Sequence, residues 1–182
     1  SRPLEAVSHM ERGLALYDRE RHGTHAFLYA GHDPGACCQF HLGMTRWLLG
    51  YPDSGLRHVQ DADRLAAELK HPLTAVIAHW FTAWVHCQRG EHELAVAGFE
   101  KLAALARQYA LLAWADSSDA IVQLMNRECT SIVAITELNR RLGSSPVTTT
   151  WRKMVCTCMV AELCADSGYA EEGLQMLRSI PE

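Results

Sequence analysis

The sequence has neither a long hydrophobic run nor an excess of basic residues. Its longest apolar stretch, residues 73–85, is interrupted by His79 and Thr82 and is shorter than the ~20 residues that span a bilayer. Seventeen Lys and Arg against 21 Asp and Glu give a net charge of −4, without a Lys/Arg run that could follow a phosphate backbone. We therefore predict no membrane partner, no signal peptide and no direct binding to nucleic acid.

A disulfide framework is also missing. The seven cysteines are an odd number and lie in apolar stretches of helical character, unlike the spaced loop cysteines of small secreted domains. This pattern predicts a reducing, cytoplasmic compartment, in which the cysteines pack as small buried hydrophobes.

Metal-binding clusters are incomplete in the sequence. Cys37 and His41 share one face of a helix, but two ligands do not make a site. His22, His25 and His32 are clustered in sequence only. We predict no metal and no cofactor.

Catalytic motifs are likewise incomplete. Residues 168–173 have the glycine spacing of a phosphate loop, but Leu174 and Gln175 replace the required Lys and Ser/Thr. His92-Glu93 begins a zinc-protease motif whose second histidine is replaced by Val96. We predict that the chain is not an enzyme.

The sequence is instead rich in helix formers. Ala and Leu supply 46 of 182 residues, and strand-length runs rich in Val, Ile and Thr are scarce. The length fits one domain with a sizeable core. An all-α fold follows from this composition.

A repeat organises these helices. Three columns recur in one register at intervals of 40, 39 and 39 residues. Two columns are mostly small, and the third, four residues after one of them, is larger and apolar. The columns are Gly43, Ala83, Val122 and Ala161; Gly55, Ala95, Ala134 and Gly173; and Val59, Phe99, Leu138 and Leu177.

Each repeat is expected to form a helix A, a short turn and a helix B. Small residues allow the paired helices to cross closely, and the larger residue one turn later fills the space beside the crossing. We predict a right-handed α-α superhelix of about nine helices in one domain, which is a fragment of a larger protein. Its parts are a lone helix B at 4–18 and repeats at about 36–72, 73–111, 112–145 and 146–182.

The columns and the turn glycines Gly50, Gly90 and Gly168 resemble the tetratricopeptide (TPR) repeat family. The resemblance covers the whole chain, with a period longer than the usual 34 residues. It is weakest in the third repeat, where Glu128-Cys129 breaks the turn pattern and Arg141 occupies a position expected to be small or apolar.

Three strings carry a narrower resemblance. They are Phe27-Leu28-Tyr29, His32-Asp33-Pro34-Gly35 and Trp47-Leu48-Leu49-Gly50-Tyr51-Pro52. Together they are similar to the repeat region of large bacterial signalling ATPases fused to adenylate or guanylate cyclase or to transcriptional activator domains. This resemblance implies a regulatory or sensor segment in signal transduction, with neighbouring domains of the same chain among its partners.

The TPR resemblance also indicates which helix A positions line a concave binding groove. We call these positions the predicted stripe, and each trio in it shares one helix face. An amphipathic groove for a protein or peptide partner would use the aromatic members as anchors, whereas a small error of register would place them in the core. The predicted stripe comprises Phe40, Met44 and Trp47; Trp80, Trp84 and Cys87; Asp119, Gln123 and Asn126; and Cys158, Glu162 and Ala165.

Two function hypotheses remain from the sequence. The first is a non-catalytic scaffold for protein–protein interaction, and the alternative is a small-molecule effector sensor that uses the same groove. His79 and His86 lie beside the predicted stripe, where they make either helix contacts or a pH-sensitive groove. For the groove hypothesis, Trp84 and at least one other aromatic or methionine of the stripe must be partly exposed.

The N-terminal helix raises a separate expectation of self-association. Its apolar stripe belongs to a helix B whose helix A is missing, and an uncovered stripe tends to pack on another chain. We therefore expect a homodimer through this helix. The stripe is formed by Leu4, Val7, Met10, Leu14 and Tyr17.

Overall fold

The computed structural model describes residues 2–28, 31–144 and 150–180. Tyr29 of the first resemblance string lies outside these ranges, as does the junction at 145–149 between the third and fourth predicted repeats. Every regular element in the described ranges is an α-helix, which confirms the all-α prediction.

Among the described residues, nine helices of nine residues or more correspond to the predicted lone helix and four pairs. The lone helix is α1, and the pairs are α4/α5, α6/α7, α8/α9 and α10/α11. Two single-turn helices, α2 (Arg19–His22) and α3 (His25–Leu28), precede the first pair. The longer helices are α1 (Pro3–Leu16), α4 (Pro34–Leu48), α5 (Pro52–Leu69), α6 (Pro72–Gln88), α7 (His92–Gln108), α8 (Leu112–Met125), α9 (Ile132–Ser144), α10 (Thr150–Asp166) and α11 (Ala170–Arg178).

The chain divides into two compact units. Unit 1 comprises residues 1–109 and contains α1 to α7, and unit 2 comprises residues 110–182 and contains α8 to α11. No helix in the described ranges is long and apolar enough to cross a membrane.

The turns inside the repeats share one backbone geometry. Gly50, Gly90 and Gly168 adopt φ values of +88°, +74° and +86°, the left-handed region in which glycine carries no Cβ penalty. In the third repeat, Arg127 adopts φ +55° at the same place, and the Glu128 amide donates to the Gln123 carbonyl at 3.1 Å. This repeat therefore keeps the turn with a different residue, but its helix B begins only at Ile132, whereas the other helices B begin two residues after the turn glycine.

Small residues mark the helix crossings, as the repeat predicts. A Cβ added to Gly43 of α4 would lie 2.6 Å from Val59 Cγ1 and 2.7 Å from the Gly55 carbonyl oxygen of α5. A Cβ added to Gly173 of α11 would lie 2.9 Å from the Ala161 carbonyl oxygen of α10. The pairs α4/α5 and α10/α11 thus approach to backbone contact where the columns place glycine.

The N-terminal helix is only partly uncovered, which corrects one expectation. Val7 is buried, and the Tyr17 ring packs so closely on Gly35 that a Cβ there would lie 2.6 Å from it. Leu4 and Leu16 remain 72% and 70% exposed. The exposed apolar surface therefore lies at two separate places along the helix rather than along one continuous stripe.

Candidate functional site

Most aromatic members of the predicted stripe belong to the core of unit 1. Phe40, Trp80 and Trp84 are only 0%, 3% and 4% exposed, so the expected partial exposure of Trp84 is wrong. Met44 and Trp47 remain half-buried.

These aromatic residues are buried because they pack against rings of neighbouring helices. The Phe40 ring of α4 stacks on Phe81 of α6 with centroids 4.4 Å apart, and Trp47 meets Trp84 edge-on at 5.4 Å. Trp80 packs edge-on against Phe81 of its own helix at 5.2 Å and against Phe99 of α7 at 6.4 Å. Large flat rings at this position gain more by covering the neighbouring helix than by facing solvent.

A partly exposed side of α4 shares only Met44 with the predicted stripe, and we call it the α4 face. With 100° per residue, this set spans about 60° of the helix and is centred about 60° from the predicted stripe. Other sides of α4 are covered, since Arg46 pairs with Glu11 of α1 and Gln39 contacts His58 of α5. The α4 face consists of half-buried Cys37, His41 and Met44 and exposed Leu48.

In α6 the equivalent side is not available. Ile77, Phe81 and Trp84 correspond to three of the four α4-face positions and are all buried, leaving Gln88 half-buried. The partly exposed apolar side of a helix A in unit 1 is therefore on α4.

In unit 2 the same stripe positions remain accessible. Asp119 and Gln123 of α8 are half-buried and Asn126 is exposed. In α10 the stripe is fully at the surface. Its exposed members there are Cys158, Glu162 and Ala165.

Arg141, the unusual residue of the third repeat, contacts this polar side of α8. Its guanidinium donates to Asp116 Oδ1 at 2.9 Å and to Gln123 Oε1 at 3.3 Å. The long cationic side chain thus joins α9 to α8 where other repeats use a small or apolar residue. The sequence marked Arg141 as irregular but did not identify Asp116 as its partner.

The cysteines are mostly packing residues. Burial raises the pKa of the Cys37 thiol to about 11 and that of Cys156 to about 12, so both remain protonated at neutral pH. Cys164 is fully buried. Cys158 is exposed, so the prediction that all seven pack as buried hydrophobes is wrong at that position.

Metal-ligating residues do not converge in the described ranges. His22 and His25 lie with ring centroids 5.1 Å apart, and Cys37 Sγ is 3.6 Å from His41 Nδ1. Within residues 2–28, 31–144 and 150–180, no three His, Cys, Asp or Glu side chains are grouped closely enough to hold a metal ion.

Each unit contains a cleft over a helix A between two successive helices B. In unit 1 it lies over α6 and has a volume of about 130 Å³. His79 Nδ1 lies 2.8 Å from Asp63 and His86 Nδ1 lies 2.6 Å from Glu91, so both histidines make the helix contacts considered from the sequence. Lys101 of α7 lines the opposite side.

The cleft of unit 2 lies over α10 and is larger, at about 410 Å³. This volume falls in the range of roughly 300–1,000 Å³ that small-molecule pockets occupy, whereas the cleft of unit 1 does not. Lys153 contributes its charge. The other lining residues are Asn139, Gly143, Met154, Thr157, Ser179 and Ile180.

The His32-Asp33-Pro34-Gly35 string forms a structural junction. Fully buried Asp33 caps α4 by accepting from the Ala36 amide at 2.8 Å, and its other oxygen accepts from the Tyr17 hydroxyl at 3.0 Å. Pro34 starts the helix, and Gly35 makes room for the Tyr17 ring. This string therefore serves the packing of α1 on α4.

Comparisons with known proteins support the fold. No family model and no curated protein matches the chain. Among solved structures, it is similar to a provisionally assigned kinesin light chain of Podosopora anserina with nearly identical TPR-like repeats. The TM-score is 0.53 at 15% identity, and the match covers 98% of this chain and 86% of that chain. The chain thus has the fold of a TPR-like helical repeat.

Proposed function

We propose that this chain is a non-catalytic helical-repeat scaffold that binds a protein segment. The observation that carries the proposal is the α4 face, a partly exposed and largely apolar side of a helix A. The rings beneath it hold that helix in place, since Phe40 stacks on Phe81 and Trp47 contacts Trp84. A rigid helix that presents adaptable side chains suits recognition of an apolar segment.

The chemistry of the α4 face favours an amphipathic partner. Met44 and Leu48 offer flexible aliphatic contact, and Met adapts readily to partners of different shape. His41 Nδ1 lies 3.0 Å from the Cys37 carbonyl oxygen, which orients the imidazole on this face. We therefore expect a helix or extended segment that places two or three apolar side chains against α4.

The accessible stripe of unit 2 has a different preference. Asn126 and Glu162 are exposed there, and Asp119 is half-buried. These side chains would favour amide or cationic groups of a partner. We propose that the two units contact segments of different chemistry.

The resemblance to bacterial signalling ATPases supports a further step. We propose that the chain is a regulatory or sensor segment of a larger signalling ATPase, cyclase or transcriptional regulator, and that neighbouring domains of the same polypeptide are partners.

The test measures binding of this chain to separately expressed neighbouring domains by titration calorimetry. Met44→Lys on the α4 face and Glu162→Lys in unit 2 should each weaken binding at least about tenfold, which is 1.4 kcal/mol. Gln60→Lys, on an exposed side of α5, is the matched control and should bind as the unchanged chain does. Unchanged affinity of both stripe variants would contradict the proposal.

The unit 2 cleft supports a second candidate, an effector sensor. A volume of about 410 Å³ and one lysine amine suit a small molecule that carries one carboxylate or phosphate. Thermal unfolding in the presence of such compounds should show stabilisation that Lys153→Met abolishes. If no small anion raises the melting temperature, this candidate fails while the scaffold proposal stands.

A further inference from the structure

Helix α6 begins with an unusual cap. The residue at its N-cap is His71, and the imidazole Nδ1 accepts from the Thr74 backbone amide at 3.2 Å. Ser, Thr, Asp and Asn are the usual N-cap residues, and their oxygens accept a hydrogen bond at any pH near neutrality. An imidazole nitrogen accepts only while it is unprotonated.

The hydrogen bonds around Thr74 fix the protonation of this ring. The Thr74 amide can only donate, so Nδ1 must be the unprotonated nitrogen. The Thr74 hydroxyl lies 2.8 Å from the same nitrogen and accepts from the Asp33 amide at 2.9 Å. One imidazole nitrogen therefore serves two donors of Thr74.

The site is largely shielded from water. Thr74 and Asp33 are fully buried, and His71 is 9% exposed. The Phe27 ring packs edge-on against the imidazole with centroids 4.5 Å apart. A donor that loses its partner here is not replaced by solvent.

We propose that His71 is an acid-sensitive cap that holds the start of α6 to the start of α4 and opens when its imidazole is protonated. The added proton on Nδ1 would face the Thr74 amide, donor against donor, and would leave that amide without an acceptor. The Thr74 hydroxyl would have to turn its own hydrogen away from the ring. A positive charge at a helix N-terminus also opposes the helix dipole.

The charged groups near His71 are few. Asp33 faces it from α4, with its carboxylate held by the Tyr17 hydroxyl and the Ala36 amide. Phe27 of α3 brings no charge, and Lys70, the preceding residue, is exposed. Burial lowers the pKa of His71 and outweighs the opposing effect of Asp33.

Opening this cap would affect the centre of unit 1. Nine residues of α6 are buried, and Thr74 is the link between α6 and the Tyr17–Asp33 junction of α1 and α4. The cap thus couples protonation of one side chain to the packing of three helices. This device is independent of the partner surface proposed above.

The test follows the Thr74 amide by ¹⁵N NMR and hydrogen exchange on the intact chain. Between pH 7.5 and 5.5, after correction for intrinsic exchange, its protection should fall severalfold, up to about tenfold, with a shift change that follows the His71 ring resonances. The Ala161 amide in α10 should keep its protection. An unchanged Thr74 amide across the His71 titration would overturn the proposal.

Variants supply the second measurement. His71→Asn replaces the imidazole by a pH-independent cap acceptor and should remove the acid-dependent loss at Thr74. His92→Asn, which replaces an exposed histidine of α7, should keep that loss. The same loss in His71→Asn as in the unchanged chain would show that another group is responsible. If His71→Asn does not fold, the coincidence of the two titrations in the unchanged chain decides the question.

Discussion

The predicted stripe differs in burial between the two units. In unit 1 its aromatic members Phe40, Trp80 and Trp84 are buried, whereas in unit 2 Cys158 and Glu162 are exposed at corresponding positions. These positions lie at the edge between the outward side of a helix A and its neighbour. A large ring at such a position packs against the neighbouring helix and is buried. A small or polar side chain there stays accessible. Side-chain size therefore decides whether one repeat position is buried or stays accessible.

The cores of the two units differ in their content of aromatic side chains. Unit 1 is built around paired rings, whereas Trp114 is the buried aromatic residue among the described side chains of unit 2. Leu, Ile and Ala, together with Cys156 and Cys164, fill most of the remaining core of unit 2. The same crossing geometry is thus compatible with either an aromatic or an aliphatic filling.

The buried polar groups also differ. All ten histidines of the sequence lie between residues 9 and 92, inside unit 1. In unit 2 the buried charge is Arg152, whose guanidinium lies 4.1 Å from the Trp114 ring centroid. Burial lowers the pKa of Arg152 to about 10, so it stays cationic at neutral pH. Mild acid should therefore act on unit 1 and leave unit 2 unaffected.

Removing a stripe side chain in each unit gives the largest expected contrast. Trp84→Ala should lower the free energy of unfolding by about 3–5 kcal/mol because it empties a core position. Asn126→Ala should change it by less than ~0.5 kcal/mol because that side chain is exposed. Denaturant unfolding measures both. A loss below ~1 kcal/mol for Trp84→Ala would return this residue to the binding surface.

Adding one methyl group at a helix crossing should have the second-largest effect on the free energy of unfolding. Gly43→Ala should cost about 3 kcal/mol because the new Cβ meets a backbone oxygen and Val59, neither of which can move freely. Gly143→Ala in α9 is the control, since no atom of the described residues lies within 4 Å of the new Cβ. It should stabilise the protein by about 0.5–1 kcal/mol, as removal of a helical glycine does. Equal effects in denaturant melts would refute the crossing.

Replacing alanines of the two small columns by leucine compares how tightly the helix crossings of the two units are packed. Ala95→Leu should cost roughly 1–3 kcal/mol because Ala95 is fully buried, and Ala83→Leu should behave similarly. Ala134→Leu in unit 2 should cost less because Ala134 is half-buried. Finding Ala95→Leu or Ala83→Leu within ~0.5 kcal/mol of the unchanged chain would refute the repeat register.

Acidification should distinguish the two units by their stability without any mutation. Burial lowers the pKa of His58 and His71, so below the unfolded value of ~6.5 the unfolded chain binds more protons than the folded one. The stability of unit 1 should therefore fall as pH decreases from 7.5 to 5.5. After correction for intrinsic exchange, the protection of amides should fall in peptides from α5 and α6 and remain constant in peptides from α10. An equal loss of protection in both units would contradict this assignment.

The smallest expected effect on folding concerns the N-terminal helix. Leu4 is exposed and Met10 is half-buried, so Leu4→Lys with Met10→Glu should leave unfolding nearly unchanged. If the chain forms the expected homodimer through α1, light scattering on this double variant should show a monomer. A dimer that persists would place the interface elsewhere, and the α4 face would be the next surface to test by Leu48→Lys.

The helical class, the number of long helices and the crossings were predictable from the sequence. Helix-forming composition and three columns in one register identify paired helices, because the backbone approach at Gly43 and Gly55 depends on their lack of side chains. Gly50, Gly90 and Gly168 likewise marked their turns. Arg127 did not mark its turn in the sequence, because an arginine does not predict a left-handed backbone.

Which side of each helix faces solvent was decided by tertiary packing. A rotation of about 60° about the axis of α4 separates the predicted stripe from the α4 face. Sequence periodicity cannot resolve a rotation of this size, because Phe40 and His41 both lie near the boundary between the buried and the exposed side of the helix. The outcome depends on Phe81, which is distant in the sequence and stacks on Phe40. The cap at His71 depends in the same way on Thr74 and Asp33 meeting in a buried site. Local sequence determines which residues form helices, and contacts between distant residues determine which side chains are buried.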